Sequence, residues 1–245
     1  MAITFVASAE QASSTDVTPL TFTVDIGTRT NGLLVVGVST RDNASNSHAN
    51  PTWNGAAMGT AVTGVSEVTT GIYVCQSIFY LANPANGSNA FSVDYDDGGT
   101  DTANTCYIIA AWVDGAHQTQ ASVKDQHATG TGSTDPSVDI TPTENGEFIF
   151  AIYHTEADSV LTVGADETLL QEHDFGLACS GGSYAIQGTA ALQTINFAGT
   201  DDNWRMTVAS FKQAAAAATA RPFVRSPMWG SFLCRQRGQV RFPSF

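Results

Sequence analysis

Charge is scarce in this chain. Only 13% of its 245 residues are charged, about half the ~25% usual for soluble domains. The apolar fraction, 42%, is ordinary, so the low charge does not signal disorder. No run approaches the roughly eighteen apolar residues that a membrane-spanning helix needs, so no membrane is expected as a partner. Four cysteines, Cys75, Cys106, Cys179 and Cys234, lie far apart with no C-x-x-C pair. That spacing argues against a compact zinc site and a disulfide scaffold. Buried thiols in a chain made in a reducing cytoplasm are expected instead. The opening Met1-Ala2-Ile3-Thr4-Phe5-Val6-Ala7 lacks a basic start and a long apolar stretch, so no ordinary secretory signal is expected. Phosphate-binding glycine loops, G-x-S-x-G and H-E-x-x-H are all missing, which removes the common nucleotide, serine-hydrolase and zinc-protease signatures.

Thr, Ser, Asn, Ala and Gly take the place of the missing charges. They suit a β protein with many turns. The charges that exist are sharply divided. Residues 1–212 carry all 23 acids and five bases, a net −18; residues 213–245 carry five arginines and no acid. An acidic body repels nucleic acid over long range. The last stretch opens with Ala214 to Ala218 and then mixes Arg221, Phe223, Arg225, Trp229, Phe232, Arg235, Arg237, Arg241, Phe242 and Phe245 with Pro222, Pro227 and Pro243. Prolines oppose helix and interior strand, and Arg with aromatics is the composition of interface anchors. Residues 213–245 therefore read as an extended arm. Its expected partners are other copies of the chain and neighbouring proteins.

Self-comparison points to an internal duplication. Val24-Asp25-Ile26 recurs as Val138-Asp139-Ile140 at an offset of 114, and Asn31-Gly32 as Asn145-Gly146. The offset then becomes 104, placing Cys75 on Cys179 and Tyr80 on Tyr184, and finally 99, placing Ile109 on Val208. The repeats span about 20–113 and 136–211, with residues 115–135 as a crossover. Alternation in Phe91, Val93 and Tyr95, and turn signals such as Asn54-Gly55, predict about six strands per repeat. The fold class is all-β: a jelly-roll-like antiparallel sandwich of about twelve strands filling residues 1–212, plus the arm. Leu33 to Val38 is apolar on both faces and predicts a central strand.

Candidate chemistry is thin. Asp94, Asp96, Asp97 and Asp101 form an acidic loop around Gly98-Gly99. Hard oxygen ligands of that kind suit Ca²⁺, although Asp-Gly turns are common without metal. No other cofactor is expected. Trp53 and Trp204 flank polar turns and are candidate glycan contacts if their rings are open. Five histidines are scattered, and His154-Thr155-Glu156 sets an imidazole near a carboxylate at a strand end. Cys179 lies opposite Cys75 in the repeat, which favours a structural over a reactive role.

Four segments carry a resemblance. They are Asn31-Gly32-Leu33-Leu34-Val35-Val36-Gly37-Val38, Trp53-Asn54-Gly55-Ala56-Ala57-Met58, Phe79-Tyr80-Leu81-Ala82-Asn83-Pro84-Ala85-Asn86-Gly87 and Ile109-Ala110-Ala111-Trp112. In this order they resemble β-sandwich structural proteins of tailed-bacteriophage virions, of the decoration or tail-associated type. The resemblance covers residues 20–212 and departs at Asn54-Gly55, where a glycine pair would stand. It implies an architectural, non-enzymatic role in a virion, with the protein made in the host cytoplasm and assembled as a homo-oligomer. A carbohydrate- or receptor-binding module of a phage fibre is the alternative, and a polysaccharide-degrading enzyme the third expectation.

Overall fold

The computed structural model describes residues 2–13, 19–96, 105–156, 162–176, 178–198 and 202–215, with the side chain of Asp96 left out. The arm residues from Arg221 to Phe245 lie outside this set, as do Asp97, Asp101 and Cys234. The described chain is almost entirely strand. The first half contains β1 (Thr4–Ser13), β2 (Leu20–Asp25), β3 (Leu33–Asp42), β4 (Ser47–Trp53), β5 (Ala56–Ala57), β6 (Gly59–Thr69), β7 (Ile72–Ala82), β8 (Ser88–Asp96) and β9 (Thr105–Asp114). A single helical turn, α1 (Gln120–Val123), leads into the second half. There follow β10 (Lys124–Gly132), β11 (Ser137–Ile140), β12 (Phe148–Thr155), β13 (Thr162–Val163), β14 (Thr168–Asp174), β15 (Cys179–Ile186), β16 (Gln193–Ala198) and β17 (Trp204–Phe211).

The strands form four antiparallel layers. Two are five-stranded, ordered β1-β9-β3-β7-β6 and β10-β17-β12-β15-β14. Each carries a smaller sheet on its outer side: β2-β8-β4-β5 on the first, β11-β16-β13 on the second. Three apolar cores separate the layers. Leu34, Val36, Phe79 and Ile108 meet Trp53, Phe91 and Val93 in the first outer core. Ile149, Tyr153 and Val208 meet Ile195 and Phe197 in the second. Leu33, Val35, Ile78 and Ile109 meet Phe148, Phe150, Ile152 and Phe211 in a central core shared by both halves. β3 and β12 lie mid-sheet and bury both faces, which is why Leu33 to Val38 and Phe148 to Tyr153 read as unbroken apolar runs.

The two halves have the same strand order, and their registers map onto each other. Leu33 pairs with Ala82 and Val113; Phe148 pairs with Ile186 and Phe211. The offsets are therefore 115 for β3 to β12, 104 for β7 to β15 and 98 for β9 to β17. The bulges match as well. β1 shifts between Phe5 and Ala7 where β10 shifts between Lys124 and His127, and β6 shifts between Thr60 and Val62 where β14 shifts between Leu169 and Gln171. A bulge is a specific device for bending a strand and re-aiming one side chain. Two shared bulges on top of a shared order make coincidence a poor account.

The all-β sandwich class holds, with more strands than expected: seventeen among the described residues. β1 and β10 escape the sequence pattern because small and polar residues dominate both. The stretch 115–135, expected as a crossover, contains the first strand of the second half. Turn chemistry follows the sequence more closely. Asn54 and Gly55 both have positive φ (49° and 75°), the requirement of the tight hairpin turn between β4 and β5. Among the described residues no helix is long and apolar enough to cross a membrane.

Candidate functional site

The central layer is apolar at one end and polar at the other. Along β3 the inward positions run Leu33, Val35, Gly37, Ser39 and Arg41; along β12 they run Phe148, Phe150, Ile152 and His154, with Glu156 just beyond. With the offset of 115 these are equivalent pairs, so Arg41 and Glu156 occupy the same place in the two halves. They bond to each other across the seam. Arg41 Nε–H donates to Glu156 Oε1 at 2.8 Å and Nη2–H to Oε2 at 2.9 Å, a two-pronged guanidinium–carboxylate pair.

His154 continues the chain of bonds. Its Nε2 lies 3.1 Å from Glu156 Oε1 and its Nδ1 lies 2.9 Å from Ser180 Oγ on β15. Burial alone would raise the Glu156 pKa, but bonds from His154 and Arg41 outweigh it and hold the carboxyl down to about 2. Burial lowers the His154 pKa, with Glu156 pulling the other way and Arg41 adding to the depression. A neutral imidazole beside an ionised carboxylate keeps its proton on Nε2, so Nδ1 accepts from the Ser180 hydroxyl. The order is hydroxyl, imidazole, carboxylate, the sequence of groups that activates serine nucleophiles.

The surroundings decide what this relay does. Ser180 and His154 are each 1% exposed beneath the facing sheet, so in this conformation no substrate carbonyl reaches Ser180 Oγ. Around them Thr207 Oγ1–H donates to Gln76 Oε1 at 2.9 Å, Gln76 Nε2–H reaches the Arg205 carbonyl at 3.3 Å, and Arg205 Nη1–H reaches Ser66 Oγ at 2.7 Å. Each of these bonds joins one half to the other. The network ties the two five-stranded sheets together through side chains of both halves, with Arg205 Nε left without a partner.

The expected proximity of His154 and Glu156 is therefore real, and Arg41, Ser180, Gln76 and Arg205 are the partners that sequence reasoning passed over. The glycan-contact expectation at Trp53 and Trp204 needs exposed ring faces, and neither residue has one. Trp53 is fully buried with its Nε1–H on the Ala85 carbonyl at 3.2 Å. Trp204 is 6% exposed, covers Gly130 and Gly132, and donates to the Thr134 carbonyl. Of the acidic loop, Asp94 is described: it is exposed and accepts from Asn50 Nδ2–H at 2.8 Å. Among the described residues no three His, Cys, Asp or Glu side chains converge on a common point. Cys75, Cys106 and Cys179 are buried free thiols, and burial pushes Cys106 up to about 12 and Cys75 up to about 11. A cavity of about 60 Å³ lined by Gln11, Ser13, Leu20, Thr21, Cys106 and Ile108 has room for a few waters and is too small for a sugar ring. No known protein family, curated protein or solved structure shows a recognisable match to this chain.

Proposed function

We propose that this protein is a non-enzymatic structural component of a tailed-phage virion, of the decoration or tail-associated kind. Its double sandwich acts as an acidic platform that is tied to other copies and to neighbouring virion proteins by residues 213–245. The observation that carries this reading is the division of charge, −18 over residues 1–212 against +5 over residues 213–245. Opposite fields of that size steer one chain's arm towards another chain's body. The root of the arm fits the same reading. Lys212 N–H bonds the Val123 carbonyl at 2.7 Å, Gln213 bridges to Ala116, and Ala214 N–H bonds the Gly115 carbonyl at 2.8 Å. The arm therefore starts from a fixed point on the inter-repeat linker. A bonded seam between the two halves suits a part that bears load.

The test is deletion of residues 216–245, which leaves the bonds at the root intact. Sedimentation of the full chain at low salt is expected to show an assembly that weakens as salt screens the attraction, and the truncated chain is expected to stay monomeric. A truncated chain that assembles like the full one would remove the arm from the account.

A further inference from the structure

A second group of polar side chains lies at the opposite end of the molecule from the seam, where β17 ends and the arm begins. Lys212 Nζ sits 3.3 Å from Asp125 Oδ1 and 2.9 Å from Glu144 Oε1. Asp125 lies in the β10 bulge between Lys124 and His127, and its side chain is 6% exposed. Thr143 holds both of its oxygens: the hydroxyl donates to Oδ1 and the amide N–H to Oδ2, each at 2.7 Å. Behind Asp125 lies Glu147, fully buried. Glu147 Oε1 accepts the Glu144 amide at 2.9 Å, Oε2 has no hydrogen-bond partner, and the carboxyl lies beside both Ser210 and Asp125.

The geometry points to a covalent fate for this group: we propose that Lys212 and Asp125 condense into an intramolecular amide, with Glu147 as the proton shuttle. The amine nitrogen attacks Asp125 Cγ, one bond from the oxygen it already touches. The Thr143 N–H donates to the oxygen that becomes negative. A new N–Cγ bond forms and one Cγ–O bond breaks. Two protons leave nitrogen and end on the departing oxygen, which leaves as water. Glu147 gives its proton to that oxygen and regains one from nitrogen. The ammonium and carboxylate charges cancel, so no external reagent is needed. Holding the amine 3.3 Å from the carboxyl oxygen on paired strands raises the effective molarity, which for well-oriented groups reaches about 10⁵ M or more and favours an amide otherwise disfavoured in water.

Lys212 and Asp125 start as an ion pair: bonds from Thr143 outweigh burial and lower the Asp125 pKa, so both groups must exchange protons before they react. Burial first, and the Asp125 carboxylate next to it, push Glu147 up to about 7, the range in which a side chain both gives and takes a proton efficiently. Bonds to Glu144 and Asp125 raise the Lys212 pKa, so its proton has to be removed within the site, and the paired carboxyls are the acceptor there.

The duplication supplies an internal control. By the register offsets, the first half has Val6 at the position of Asp125, Gly32 at that of Glu147 and Asp114 at that of Lys212. None of the three reactive groups is present there. The complete set occurs in the half from which the arm departs, one residue before the arm begins. Lys212 and Lys124 are the chain's two lysines, and Lys124 Nζ is turned to His127 Nδ1 at 3.1 Å. An amide at Lys212 would staple the last strand to the first strand of its half, at the point where tension on the arm enters the body. The inference stands on this cluster alone and holds whatever the arm binds.

Intact-mass measurement of the purified full-length chain at neutral pH tests it. The expected mass is lower than that of the sequence by one water, and proteolysis is expected to release a branched peptide joining Asp125 to Lys212. Lys212→Arg restores the full mass. Asp125→Asn still forms the bond but loses ammonia instead of water, a difference that no structural role would produce. Glu147→Gln slows bond formation by about a hundredfold, read as the fraction of branched peptide over time in protein whose circular dichroism matches that of the parent. A parent chain of full mass, with Lys212 in an unbranched peptide after days at neutral pH, overturns the proposal.

Discussion

The Arg41–Glu156 pair makes a quantitative claim about acid stability. Glu156 titrates near 2 in the folded protein against an ordinary value of 4.5. A carboxylate with a depressed folded pKa contributes stability that is complete above the unfolded value. That contribution is lost as pH falls from about 4.5 to about 2. At about 1.4 kcal/mol per pKa unit the shift corresponds to roughly 3 kcal/mol, trimmed to about 2–3 kcal/mol because the rim of the pair is partly wet. The perturbation is Glu156→Gln, which keeps the shape and removes the charge. At pH 7 it leaves Arg41 without its partner and should cost about 2–4 kcal/mol. As pH falls the parent loses the same charge, so the gap between the two should close by pH 2. Glu156 also raises the His154 pKa, so the comparison is made in a His154→Gln background, where the carboxyl is the group whose titration differs. Urea titrations from pH 7 to pH 2 measure the gap. Tryptophan fluorescence reports Trp53 and Trp112 in one half and Trp204 in the other, with Trp229 of the C-terminal segment replaced by Phe; far-UV circular dichroism must give the same transition for two-state analysis to hold. Replacing both partners together, Arg41→Met with Glu156→Leu, should cost far less than either single change. A gap that stays constant with pH, or that is below about 0.5 kcal/mol at pH 7, would show that the pair does not hold the halves together.

His48 gives a second acid-labile element: burial lowers its pKa to about 3, with Nε2 bonded to Thr40 Oγ1 at 2.9 Å and Nδ1 to Ser77 Oγ at 2.8 Å. A depressed imidazole stabilises the fold above pH 6.5 and loses that contribution as pH falls towards 3, about 5 kcal/mol in all; His48→Gln should flatten this limb, and an NMR titration should show the His48 ring unchanged from pH 8 to pH 5. Gly37 is packed under the other half, where an added Cβ would sit 2.9 Å from the Phe150 ring and 3.0 Å from Ile152 Cδ1, so Gly37→Ala should lower stability by about 1–3 kcal/mol. Gly188→Ala meets nothing within 4 Å and should change stability by less than about 0.5 kcal/mol. Thermal unfolding of the two variants side by side separates overpacking from the general effect of losing a glycine.

What the sequence conveyed depended on how local the responsible physics is. A strand buried on both faces has to be apolar throughout, so β3 was readable as a central strand. Asn54-Gly55 was readable as a turn because its backbone angles exclude most other residues. Order within the repeats was readable too, but register was only partly so. The offset of 104 is the one the ladder shows, whereas 114 and 99 are each one residue away from the values for β3 and β9, 115 and 98. In a strand one residue is a change of face. The offset of 114 sets Leu34 on Phe148, yet Leu34 packs in an outer core and Phe148 in the central one. The same slip hid the seam, because it aligns Arg41 with Thr155 and not with Glu156. Trp53 and Trp204 failed as surface candidates for a different reason. Polar neighbours in a turn say nothing of whether a second sheet covers the ring, and that depends on contacts distant in sequence.

The corrected register also shows how two halves of like topology fit each other and not themselves. When equivalent sheets pack face to face, equivalent residues near the pseudo-twofold axis meet. Two identical halves would set Arg41 against Arg41, or Glu156 against Glu156, and bury like charges. This chain carries one of each, and the meeting becomes a bond. The same inversion occurs away from the seam: Arg29 faces Asp114 at 3.6 Å in the first half, and at the equivalent positions Glu144 faces Lys212 at 2.9 Å in the second. At the seam, where Arg41 and Glu156 join the two halves, opposite charge at matched positions penalises pairing of like halves while rewarding the pairing within one chain. It therefore directs the large apolar faces of β3 and β12 towards each other.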